Sequence, residues 1–136
     1  SGGLLNTLKI MTTTLSPQWI FTHPGYMRVA QAMMKYPTPP HALKLHYEAS
    51  EGQDAWDLLP TIQSPTLVIH GSEDQVNVTA NAPLLAGRIP GAELYIVKGG
   101  RHLFLVEFRE EASRVVLEFL KRHPITDTPN SHPPAT

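Results

Sequence analysis

Two short polar clusters hold the residues best suited to chemistry. One is His70-Gly71-Ser72-Glu73-Asp74 and the other is Gly99-Gly100-Arg101-His102. Each leaves a run of apolar residues, Leu67-Val68-Ile69 for the first and Leu94-Tyr95-Ile96-Val97 for the second. A carboxylate bonded to one imidazole nitrogen fixes the tautomer of the ring and leaves the other nitrogen free as a general base. Asp74 and His102, 28 residues apart, have the types and the order for such a pair. Glu73, one position earlier, is the competing acid. Taken singly, Asp74 also suits a turn after Gly71-Ser72, and His102 also suits a loop histidine bonded to backbone.

The pair works only if the elements around it bring the clusters together. Residues 66–70, between Pro65 and Gly71, form an apolar run expected for a strand buried on both faces. Residues 93–97 form a second run, preceded by Pro90-Gly91 and ended by Gly99-Gly100. Between them 79–89 suits a short helix, with Thr79 as N-cap and Pro83 in or near the first turn. Strand, helix and strand within about thirty residues predict a parallel βαβ unit with a right-handed crossover. Neighbouring strands lie ~4.8 Å apart, and sites form in the crevice beyond the carboxyl ends of parallel strands. A last helix over 109–123 carries Ala112, Val115, Val116, Phe119 and Leu120 as one apolar stripe. Glu110 and Glu111 sit at its positive end, Lys121 and Arg122 at its negative end, and Pro124 stops it.

The first sixty residues are read as a helical segment. Ser16-Pro17 suits an N-cap followed by proline at the first helical position. Tyr26, Val29, Ala30, Met33 and Met34 recur at helical spacing up to Tyr36-Pro37, and another helix fits between Pro40 and Gly52. Trp19, Met27, Met33 and Met34 are candidates for an adaptable substrate-binding lining, with ordinary helix packing as the alternative. Residues 124–136, with prolines at 124, 129, 133 and 134, are expected to form a flexible tail.

Composition narrows the classes of function. The 136 residues suffice for one modest domain, and a formal net charge of −1 without a basic run argues against phosphate-mediated nucleic-acid binding. No apolar run approaches the ~18–20 residues of a membrane span. The absence of cysteine removes disulfides, thiolate metal sites and cysteine nucleophiles, and is compatible with a cytoplasmic location. His41 and His46 are five apart rather than at the i, i+4 spacing of a helical zinc pair, and no metal or other cofactor is expected. His23, His41, His46, His70, His123 and His132 are assigned no chemistry, His70 being read as a hydrogen-bonding residue at a strand end.

Residues 61–120 resemble the C-terminal segment of the α/β-hydrolase superfamily. The resemblance is carried by the segment from Pro65 to Asp74 ending in the turn Gly71-Ser72-Glu73-Asp74, then Ile89-Pro90-Gly91-Ala92 with the second apolar run, then Gly99-Gly100-Arg101-His102, then the amphipathic helix. It implies an α/β fold of the βαβα type with two parallel strands, Asp74 as the triad acid and His102 as the triad base. Residues 1–60 resemble, less specifically, the helical cap inserted before this segment. The overall style is nearest to esterases and lactonases, with a small-molecule ester or lactone as the implied substrate.

The chain also departs from the pattern. The superfamily's nucleophile stands in a G-x-S-x-G elbow, and none occurs here. Glu48-Ala49-Ser50-Glu51-Gly52 lacks the first glycine and follows a helical pattern, so Ser50 is rejected. Arg101 is bulkier than the small residue usual before the histidine. The expectation is therefore a C-terminal portion that supplies acid and base, lacks the nucleophile and the oxyanion donors, and is inactive alone. Two parallel strands make a marginal sheet with exposed edges, so the missing N-terminal half or a second chain is the expected partner. The alternatives are an aspartate nucleophile, as in dehalogenases and epoxide hydrolases, a lyase or perhydrolase on the same scaffold, and a non-catalytic binding or assembly module.

Overall fold

The computed structural model describes residues 2–36 and 38–124, the side chains of 2–4, 6, 7, 30, 33 and 34 excepted. The tail expected over 124–136 lies outside the described residues from 125 onward. Four helices come first: α1 (Gly2–Thr14), α2 (Pro17–Thr22), α3 (Tyr26–Lys35) and α4 (Pro40–Glu51). Helix α2 starts as the sequence requires. The Ser16 hydroxyl accepts the Trp19 N–H at 3.2 Å, and Pro17 gives up an N–H that no helical carbonyl would have met.

Helix α1 lies in the segment read as helical, although its residues show no stripe or cap that marks it. Its far end explains it. Met11 and Leu15 are both buried, and tertiary packing there outweighs the poor helix propensity of glycine. A 3-10 turn, Trp56–Thr61, leads into the second half of the chain. Arg88 holds it, stacking over the Trp56 ring, donating to the Trp56 carbonyl at 3.0 Å and pairing with Asp57 at 3.1 Å.

The second half is the βαβα unit. Strands β1 (Leu67–Gly71) and β2 (Glu93–Val97) pair in parallel, from Leu67 opposite Glu93 to Gly71 opposite Val97. Helix α5 (Asn81–Arg88) connects them, and α6 (Phe104–Glu107) and α7 (Arg109–Arg122) follow. Val97, Phe104 and Ala112 form the buried core, with Ile69, Tyr95 and Phe108 packed against them. Ala112, Val115 and Phe119 of the α7 stripe are buried, Val116 is half-buried and Leu120 is exposed. The Tyr95 hydroxyl donates to Glu111 at 2.8 Å and ties β2 to α7.

Two local expectations are corrected. Strand β1 is not buried on both faces, since Leu67, Val68, Ile69 and His70 are all half-buried. Among the described residues the sheet has two strands only, so each keeps a free edge, and Leu94 and Ile96 of β2 stay exposed. Thr79 does not cap α5. Its hydroxyl donates to the Gly71 carbonyl at 2.8 Å, and the helix begins at Asn81 without a side-chain cap. Pro83 does fall in the first turn.

This core assigns unequal weight to two apolar side chains. Phe104→Ala is expected to lower the free energy of unfolding by about 3–5 kcal/mol. Leu120→Ala should change it by no more than about 0.5 kcal/mol. Urea unfolding of both variants checks this.

Candidate active site

The two polar clusters leave the same end of the sheet, because β1 and β2 are parallel and in register. Three hydrogen bonds fasten one loop to the other. The Ser72 N–H donates to the Val97 carbonyl at 3.0 Å, the Glu73 N–H to the Gly100 carbonyl at 2.8 Å, and the Gly99 N–H to the Ser72 hydroxyl at 2.8 Å. Glycine is what permits this. A Cβ on Gly71 would lie 2.3 Å from the Gly100 carbonyl oxygen, and Gly99 has φ +78°, a conformation that L side chains rarely adopt.

These loops bring Asp74 and His102 into contact. Asp74 is buried at 8% exposure, and its Oδ1 accepts the N–H groups of Val76 at 2.8 Å and Asn77 at 3.0 Å. Its Oδ2 lies 3.0 Å from His102 Nδ1. The His102 ring is one-third exposed, so its other nitrogen, Nε2, is left for a reacting group. Burial works to raise the Asp74 pKa. The hydrogen bonds from His102, Asn77 and Val76, with the charge of His102, outweigh it and hold the carboxyl below its ordinary value. The site is therefore a carboxylate that stays ionised while orienting an imidazole. Glu73 points elsewhere, exposed and 3.9 Å from Arg101 Nε.

His70 is closer to this centre than its assignment suggested. Its Nδ1 lies 2.9 Å from the Gly71 carbonyl, the backbone contact expected of it, but its Nε2 is also 3.6 Å from Asp74 Oδ2. The i, i+4 spacing of His70 and Asp74 across a tight turn is the signal that was there to be used. Ser50 lies on α4, exposed, with its hydroxyl donating to the Tyr47 carbonyl. His41 and His46 are exposed on the same helix, and His132 lies outside the described residues.

The candidate lining residues do not share one pocket. Trp19, stacked on His23 with ring centroids 4.1 Å apart, lines a cavity of about 650 Å³ with residues 105–111. Met27 lines a separate apolar groove of about 460 Å³, with Leu8, Met11, Ile20 and Phe21 of α1 and α2. Neither is lined by Asp74 or His102. The side chains of Met33 and Met34 lie outside the described residues.

Comparison with known proteins agrees with this architecture. No family model matches the chain. It is 34% identical over 71 residues to the serine hydrolase BPHL of Mus musculus, a match covering 52% of this chain and 24% of that protein. It is 42% identical over 64 residues to a poly(3-hydroxyalkanoate) depolymerase of Ectopseudomonas oleovorans, covering 47% of this chain and 22% of that protein. A crystal structure of a hydrolase from Pseudomonas aeruginosa PA01 superposes with a TM-score of 0.72 at 29% identity, covering 85% of this chain and 43% of the other. The matched part thus spans about a quarter of the curated relatives and less than half of the solved chain. The chain is similar in sequence to α/β-hydrolases over this segment and has the fold of their C-terminal part.

Two outcomes follow from this geometry. Gly71→Ala pushes a methyl group into backbone and should lower stability by about 1–3 kcal/mol, read by thermal or urea unfolding. The depressed pKa of Asp74 stabilises the fold fully above the ordinary carboxylate value of about 3.9, and that contribution is lost as pH falls through the lower folded value. The stability gap between wild type and Asp74→Asn should therefore close as pH drops below about 4, measured as melting temperature against pH.

Proposed function

We propose that this chain supplies the acid and the base of a hydrolase acting on carboxylic esters, lactones or similar small acyl substrates through a Ser-His-Asp triad. The serine would come from residues outside these 136. The observation that carries the reading is the 3.0 Å contact between Asp74 Oδ2 and His102 Nδ1 at the carboxyl ends of two parallel strands. Similarity to a protein named as a serine hydrolase, and to a depolymerase, supports a serine nucleophile and acyl chemistry.

In this mechanism the serine hydroxyl attacks the acyl carbon while His102 Nε2 takes its proton. Asp74, ionised and facing Nδ1, holds the ring in the productive tautomer and stabilises the imidazolium. The tetrahedral intermediate collapses as His102 returns the proton to the leaving alkoxide, releasing the alcohol and leaving an acyl-serine. Water then attacks the acyl carbon, again through His102, and releases the acid. Backbone donors for the oxyanion would come from the same residues as the serine. Helices α1 to α4 are read as the cap over the substrate. The rest of the parallel sheet would pair with the free strand edges and cover Leu94 and Ile96.

An activated aryl ester tests this in the full-length protein that contains these residues. Asp74→Asn should lower kcat about 10,000-fold, and His102→Ala at least as much. The 136-residue chain alone should show no hydrolysis above background. Activity in that chain equal to the full-length protein would overturn the reading.

A further inference from the structure

His102 stands between two residues that are both bonded to the far end of α1. Arg101, on one side, donates through Nη1 to the Thr12 carbonyl and lies 3.5 Å from the Leu15 carbonyl. Leu103, on the other, donates its backbone N–H to the Thr14 carbonyl at 2.8 Å. The last carbonyls of a helix have no partner within it and carry the negative end of its dipole, so a guanidinium suits them. Glu107, five residues past His102, completes the clamp. Its Oε2 accepts the Ser16 N–H at 3.0 Å and its Oε1 accepts the Ser16 hydroxyl. Leu15, between these contacts, is fully buried.

We infer that Arg101 and Glu107 are positioning residues for His102, locking the loop that carries the base to the corner between α1 and α2. The inference rests on His102 being the base proposed above. Pinned on both sides along the backbone and by Asp74 at Nδ1, the ring keeps little freedom of its own. The location of Nε2 then follows the α1–α2 corner, and a shift of that corner moves the base against the substrate. A misplacement of about 1 Å at a reacting group lowers a rate by about 100-fold. The bulk of Arg101 has a purpose in this arrangement, since a small residue there would reach neither carbonyl. Ser16 links the clamp to the wall of the larger cavity, as its hydroxyl also accepts the Trp19 N–H.

The test is steady-state hydrolysis of an aryl ester by the full-length protein, with melting temperatures measured alongside. Arg101→Ala should lower kcat about 100-fold and leave KM within about twofold of wild type. Arg101→Lys should recover most of the loss, because an ammonium still donates to helix carbonyls. Glu107→Gln, which keeps an acceptor for Ser16, should lose less than Glu107→Ala. If Arg101→Ala does not fold, Glu107→Ala, which releases Ser16 from the same clamp, should show the fall in kcat at unchanged KM. A fall in kcat that tracks melting temperature and is not rescued by lysine would overturn the positioning role. Wild-type kcat in Arg101→Ala and Glu107→Ala, with His102→Ala inactive, would overturn it and leave the triad standing. Full activity in His102→Ala would instead remove the triad reading on which it rests.

Discussion

The contact between Gly71 and the Gly100 carbonyl is the constraint on which the rest of this structure depends. Two backbones approach there more closely than any side chain allows. That approach lets the Glu73 N–H reach the Gly100 carbonyl and puts Asp74 and His102 on facing loops. Parallel pairing delivers the two loops to the same edge, but pairing alone leaves a gap that a Cβ would hold open. Missing side chains thus set the site as much as Asp74 and His102 do.

Burial then gives the pair its character. Asp74 is closed in by its own turn, with two amides on one oxygen and two imidazoles near the other. Such a carboxylate stays charged in a place that would otherwise favour its neutral form, because the Val76 and Asn77 amides and His102 all stabilise the charge. The charge of this buried carboxylate faces His102 at 3.0 Å, whereas Glu73, one residue away, spends its charge on Arg101 and solvent. Adjacent residues on one loop thereby take different roles through environment alone.

Much of this was legible in the sequence because it is local. The Ser16-Pro17 cap, the strand-turn signals at Gly71 and Gly99 and the 3.6-residue period of α7 each depend on a few neighbouring residues. Asp74 and His102 were legible as a pair because one helix and one strand fit between them. What escaped is non-local or competitive. Thr79 had two partners to choose from, and the Gly71 carbonyl won over the helix end. The clamp joins residues 86 to 91 positions apart, a separation at which sequence pattern carries no register. Helix α1 depends on the burial of Met11 and Leu15 rather than on propensity. The half-burial of β1 reflects how many strands stand beside it, which its own residues do not encode.

In the triad we propose, Asp74 sets the tautomer of His102 so that Nε2 can accept a proton. Nitrogen-15 NMR of the His102 imidazole, at a pH where the ring is neutral, tests it without a substrate. A protonated Nδ1 and an unprotonated Nε2 are expected in the wild type, with that preference lost in Asp74→Asn. A proton on Nε2 in the wild type, or a tautomer unchanged by the substitution, would contradict it.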